Sequence, residues 1–229
     1  MRELICFGHR GAAGYAPENT LKAFRLAIDM GCPWIELDVH AVEGELLVIH
    51  DDRLARTTNG HGRVSTSSLR YLRSLDAGMG ERIPTLNEVL DISDRRCGIN
   101  IELKGQNTAE PVNRFLADAC HRGWQRNQFI ISSFDHRELA LADPAFPRGV
   151  LFRKQADYLL MTRALNAHSL NLALRLVDQE TVDAAHMENL KVYVFTVNDP
   201  GDINHMKDIG VDGVFSYYPD RVKALNDDY

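Results

Sequence analysis

Short apolar runs alternate with helix-period stripes along the whole 229-residue chain. Residues 4–8 read as a strand that stops at Gly8-His9-Arg10-Gly11. Residues 20–30 read as a helix, with Leu21, Phe24 and Ile28 on one face and Gly31 as its stop. Residues 34–40 form a second strand, Glu43-Gly44 a tight turn, and 46–49 another extended piece. The segment 53–80 is polar, glycine-containing and weakly periodic, and reads as an inserted excursion. The alternation then resumes, with helices predicted at 85–92, 110–120, 136–142, 156–165, 179–189, 202–209 and 220–225. The strands between them fall at 98–104, 129–133, 149–152, 169–172 (a weak one), 191–197 and 211–215.

About eight strand–helix units with no composition break imply a parallel sheet. A (β/α)8 TIM barrel, which takes roughly 250 residues, fits that count better than an open doubly wound sheet. No GxGxxG follows the first strand to favour the latter. The expectation is one domain over 1–229, with a small insertion at 51–84 after the second strand.

Two strands break the rule that barrel strands are apolar on both faces. In WIELDVH, Ile35, Leu37 and Val39 share one face and Glu36, Asp38 and His40 the other. In INIELK, Ile99, Ile101 and Leu103 oppose Asn100, Glu102 and Lys104. Carboxylates facing one cavity need neutralising, since unpaired buried charge costs several kcal/mol per ion. Their oxygens suit Mg²⁺ or Ca²⁺ rather than zinc, while a salt-bridge lattice with Arg10 and Lys104 would also serve. His9 and His50 each end an apolar run beside these carboxylates, where a barrel places its chemistry. His61, His121, His136, His186 and His205 fall in loops or helices and read as solvated.

Composition narrows the picture a little. Hydrophobic residues make up 45% and charged ones 25%, as in ordinary globular proteins. A net charge of -6 argues against nucleic acid as a partner, but permits a small anion in a local positive pocket. No apolar run approaches the ~20 residues of a membrane span, and Met1-Arg2-Glu3 begins nothing like a secretory leader. Cys6, Cys32, Cys97 and Cys120 form no CxxC pair and read as reduced, buried thiols. A cytoplasmic enzyme or binding protein is expected. No feature fixes an oligomeric state.

The fragments GHRG, PENTLKAF, IELDVH, IHDD, RTTNGHG, LDAG, IPTLNEVL, IELK, SSF, FTVN and GVDGVF occur in this order. As an ordered set they closely resemble the glycerophosphodiester phosphodiesterases. The resemblance implies a TIM barrel with a small insertion after the second strand. It also implies a divalent cation, Mg²⁺ or Ca²⁺, held at Glu36, Asp38 and Glu102. His9 and His50 match the family's acid–base pair, and Arg10 and Lys104 its phosphate-contacting cations. The implied reaction converts glycerophosphodiesters such as glycerophosphocholine or glycerophosphoethanolamine to sn-glycerol 3-phosphate and an alcohol, a step in glycerol and lipid metabolism. Phe195 stands where relatives commonly carry tryptophan, keeping an aromatic wall against the substrate without the indole N–H. Ser216-Tyr217 replaces the Thr-Asp often found after the last strand. Two alternatives stay open, a phosphodiesterase acting on lysophospholipids and a non-catalytic phosphodiester binder.

Overall fold

The apolar runs become nine strands in a computed structural model that describes residues 3–227. Met1 and Arg2, part of the stretch read above as no leader, lie outside the described residues. The strands are β1 Ile5–His9, β2 Trp34–Val42, β3 Glu45–Val48, β4 Gly98–Leu103, β5 Phe129–Ser133, β6 Arg148–Phe152, β7 Ser169–Ala173, β8 Lys191–Phe195 and β9 Gly213–Ser216. Eight of them pair in parallel, and β1 bonds to both β2 and β9, which closes the sheet. The fold is the (β/α)8 TIM barrel expected. β3 is outside the cylinder, antiparallel on the end of β2.

Alternation of side chains sorts the core into two layers. Ile35, Leu37, Val39, Ile99, Ile101 and Leu103 face outward and pack in one continuous cluster with the helices. Inside, Phe7, Ile130, Tyr193 and Phe215 fill the barrel, with Phe7 4.6 Å from Phe215 and 4.8 Å from Tyr193 between ring centroids. The cavity lined by His9, Glu36 and Glu102 lies at the C-terminal ends of the strands, where Phe215 borders it.

The helix Leu86–Ser93 starts where predicted because Thr85 and Glu88 form a reciprocal capping box. The excursion after β3 is less polar in effect than its composition suggests. Leu54, Val64, Leu72, Leu75 and Ile83 pack with Leu47 and Ile49 in a second cluster. Leu54, Val64 and Leu72 sit on two 3-10 turns and one four-residue helix, and Leu75 and Ile83 on irregular chain, so they show no regular period. The weak strand at 169–172 is a buried barrel strand, β7, whose Ser169 donates to Asn171 at 2.8 Å.

Candidate active site

The first strand ends in a backbone turn. Arg10 has φ 55 and Gly11 φ 80, both in the left-handed region. A Cβ on Gly11 would lie 2.5 Å from the Ala23 carbonyl carbon, so only glycine fits. The turn brings Arg10 into the same mouth as His9, although strict alternation would separate them. The Arg10 amide donates to Glu36 Oε2 at 2.9 Å, and its guanidinium lies 3.4 Å from Asp38 and 2.8 Å from Glu18.

Strand register assembles the acidic cluster. His9 lies beside Glu36 across β1 and β2, Glu36 beside Asn100 and Asp38 beside Glu102 across β2 and β4. Glu36, Asp38 and Glu102 each present one oxygen within 4.8 Å of the others, and all three are buried. Lys104, one residue beyond β4, forms an ion pair with Glu102 and another at 3.2 Å with Asp38. Asn19 donates to Asp38 at 2.8 Å.

Two cations do not satisfy three carboxylates. Burial pushes the Glu36 carboxyl well above its usual range, with Asp38 and Glu102 adding repulsion. Burial raises Glu102 to about 7, against the pull of Lys104 and with a further push from Asp38. Only Asp38 stays low, because Lys104 and Arg10 outweigh the burial that would raise it. Asp38 Oδ1 and Glu102 Oε1 share the single Lys104 ammonium, so one cation serves two buried carboxylate oxygens. The salt-bridge lattice is therefore present but incomplete. The all-oxygen donor set fits one further hard cation.

His50 reaches the mouth just past β3. Its Nδ1–H donates to Asp51 at 2.5 Å, and its carbonyl accepts from His40 Nε2 at 3.3 Å. Arg56 grips Asp51 through Nε at 2.5 Å, and hydrogen bonds from Arg56 and His50 hold that carboxylate down at about 2. Arg56 also clasps Glu18 with two bonds of 2.8 Å, so Asp51, Arg56, Glu18 and Arg10 form a chain from His50 to the acidic cluster. His9 Nδ1 lies 3.1 Å from the Thr196 hydroxyl, and its ring stacks on Tyr217 at 4.9 Å and 6°. Burial lowers the pKa of both imidazoles. In each the Nδ1 is engaged, and His9 Nε2 lies 3.6 Å from Glu36 Oε2.

These groups line a cavity of about 240 Å³ that holds His9, Arg10, Glu36, His50, Glu102 and Phe195 together. Lys104 stands beside it, joined through its ion pair to Glu102. Sequence reading overlooked Asn19, Glu18, Asp51, Arg56 and Thr196 as working residues. Each sits in a quoted fragment, but nothing local showed which acids and bases would meet. It also misread two histidines as solvated. His136 is half-buried and donates to the Leu151 carbonyl at 3.1 Å, and His186 donates to Asp212 at 2.8 Å. Cys120 is half-buried rather than buried, and all four cysteines are free.

The profile of the glycerophosphoryl diester phosphodiesterase family matches residues 9–221. A glycerophosphodiester phosphodiesterase of Caldanaerobacter subterraneus is 34% identical over 98% of both chains. One from Bacillus altitudinis is 34% identical over 97% of this chain and 98% of its own. An Oleispira antarctica phosphodiesterase, solved in complex with the product sn-glycerol-3-phosphate, superposes with a TM-score of 0.90 at 30% identity. That match covers 97% of this chain and 96% of the other.

Proposed function

The chain belongs to the glycerophosphoryl diester phosphodiesterase family and is an enzyme of that kind, and we propose that its mouth cleaves glycerophosphodiesters by His9 and His50 acid–base catalysis with a divalent cation. The products are sn-glycerol 3-phosphate and an alcohol. The observation that carries this reading is the meeting of two Nδ1-anchored imidazoles with Glu36 and Glu102 in one cavity, Asp38 lying buried behind them in the same carboxylate cluster.

Glu36, Asp38 and Glu102 would hold Mg²⁺ or Ca²⁺, and the bound cation supplies positive charge against the phosphate oxygens. Arg10 and Lys104 flank the same carboxylates and add to that field, in a mouth where burial strengthens it. One imidazole takes the proton from the attacking hydroxyl, the substrate's own glycerol oxygen, as its bond to phosphorus forms. The other protonates the departing alkoxide as the bond to the second alcohol breaks. Water then opens the cyclic phosphate with the two roles exchanged. Asp51 and Thr196 hold the rings so that Nε2, not Nδ1, carries each transfer. Phe195 forms the aromatic wall against the glycerol or the alcohol moiety.

The test is release of sn-glycerol 3-phosphate from a panel of glycerophosphodiesters, with and without EDTA, by the native protein and by His9→Ala and His50→Ala. Chelation and each substitution are expected to lower kcat by at least about 100-fold, the usual share of general acid–base catalysis. Turnover at the native rate after chelation, or in either variant, would overturn the scheme.

A further inference from the structure

The side of the mouth away from His50 carries a group to which the reaction assigns no role. Arg153, just past β6, lays its guanidinium carbon 3.6 Å from the centroid of the Phe134 ring. Phe134 stands edge-to-face with Phe195 at 5.5 Å, so the arginine rests on the same aromatic wall that borders the catalytic cavity. Arg153 also borders two grooves of about 550 Å³ and 480 Å³ that open outward from that cavity. Lys154 lines the first groove and Arg175 the second, and Arg175 donates to the Arg153 carbonyl. Among the described residues, no carboxylate forms an ion pair with Arg153, Lys154 or Arg175.

Resting on the diesterase reading above, we propose that Arg153 is a specificity-determining residue for the second alcohol of the substrate. It selects headgroups that offer oxygen acceptors and disfavours those with a permanent positive charge. A quaternary ammonium gains most from an open aromatic face. Here the Phe134 face is already covered by a guanidinium, and a second cation there meets like charge on a low-dielectric wall. A guanidinium instead presents a planar fork of donors that suits hydroxyl, carboxylate or phosphate oxygens. The arginine is exposed, so its substitution leaves the barrel core untouched.

The test compares kcat/KM of the metal-loaded protein for three diesters. They are glycerophosphocholine, glycerophosphoglycerol and glycerophosphoinositol 4-phosphate, which separate cationic, neutral polyol and anionic headgroups. The native protein is expected to prefer both oxygen-rich diesters over the choline diester by roughly tenfold or more, and Arg153→Gln to bring the ratios near unity. Arg153→Glu should favour the choline diester, mainly through KM. Equal or better use of glycerophosphocholine by the native protein overturns the inference, and so do ratios unmoved by Arg153→Gln. Hydrolysis of none of the three by the native protein would defeat the proposed function itself, and this inference with it.

Discussion

With Glu36, Asp38 and Glu102 as the ligands of the proposed cation, Glu102 would make its binding pH-dependent in a way that can be calculated. Its carboxyl is raised to about 7 by burial and by the Asp38 charge, so in the metal-free protein it is half protonated near neutrality. A cation needs the carboxylate, and therefore displaces that proton. For one such group the apparent Kd is multiplied by about elevenfold at pH 6 and by about 1.1 at pH 8, a tenfold span. Glu36, raised in the same direction, steepens the dependence. Calorimetric titration with Mg²⁺ or Ca²⁺ near pH 7 should release roughly half a proton from Glu102, read as heat that changes with buffer ionisation enthalpy. The metal-free protein must show the reverse trend in stability. A carboxyl raised on folding contributes stability that is fully present below its unfolded value of about 4.3. That contribution is lost as pH climbs through about 7, so the metal-free Tm declines over this window and cation restores most at the alkaline end. Glu102→Gln should weaken binding at least about tenfold and flatten the pH dependence. A Kd constant from about pH 6 to about pH 8, with no buffer-dependent heat, would refute the reasoning.

Asp51→Asn keeps the shape beside His50 but weakens the hold on its Nδ1–H, so kcat should fall about 10- to 100-fold with KM little changed; steady-state kinetics decides, and a native kcat would remove Asp51 from the mechanism. Asn19→Ala deletes the donor to buried Asp38 and places alanine at φ 57, so it should cost about 1–3 kcal/mol in denaturant melts and weaken cation binding. Asp212 lies at the opposite end of the barrel, 2% exposed, and accepts from Val192 N, Lys191 and His186 at 2.8–2.9 Å. Asp212→Ala should lose about 3 kcal/mol, or roughly 6–12 °C in Tm, with kcat/KM unchanged. Burial alone would raise this carboxyl, but those three donors hold it low. Its contribution is therefore present above about pH 3.9 and lost as pH falls through the depressed folded value, so native and variant melts should converge in acid.

What the sequence revealed and what it hid follow from the range of the interactions. Strand periodicity placed Glu36 and Asp38 on one face because alternation is a local property, and β2 and β4 then set Asp38 opposite Glu102. His50 was readable as the end of an apolar run, although β3 proved antiparallel and outside the barrel. The link from Arg10 through Glu18 and Arg56 to Asp51 was not readable. It spans 38 positions between Glu18 and Arg56 and joins segments with no regular period. The same holds for the excursion's core, whose apolar anchors sit on 3-10 turns that leave no stripe. Tyr217 departs from the family pattern on sequence alone, but its stacking on His9 depends on how β1 and β9 lie side by side.

The charge balance of the mouth ties these observations to the direction of the reaction. Glu36, Asp38 and Glu102 face Arg10 and Lys104, so the ionised cluster carries one negative charge in excess. Beyond it, Glu18, Arg56 and Asp51 sum to one further negative charge, on side chains a fifth to nearly half exposed, where solvent screens it, so the balance is struck over the buried cluster alone. Adding a divalent cation reverses the excess to one positive charge. A phosphodiester, which carries one negative charge, then closes the balance with nothing left to compensate in a buried site. The phosphomonoester product carries close to two negative charges at neutral pH, since its second pKa is about 6. It overshoots by nearly one, in a cavity where like charges repel more strongly than in water. In the proposed reaction, the same groups that would draw the diester in would therefore favour release of the sn-glycerol 3-phosphate product. Product inhibition should accordingly weaken as pH rises from about 6 to about 8 and the dianion dominates. A product Ki that tightens over that range would show that the mouth holds more positive charge than these five side chains and one cation supply.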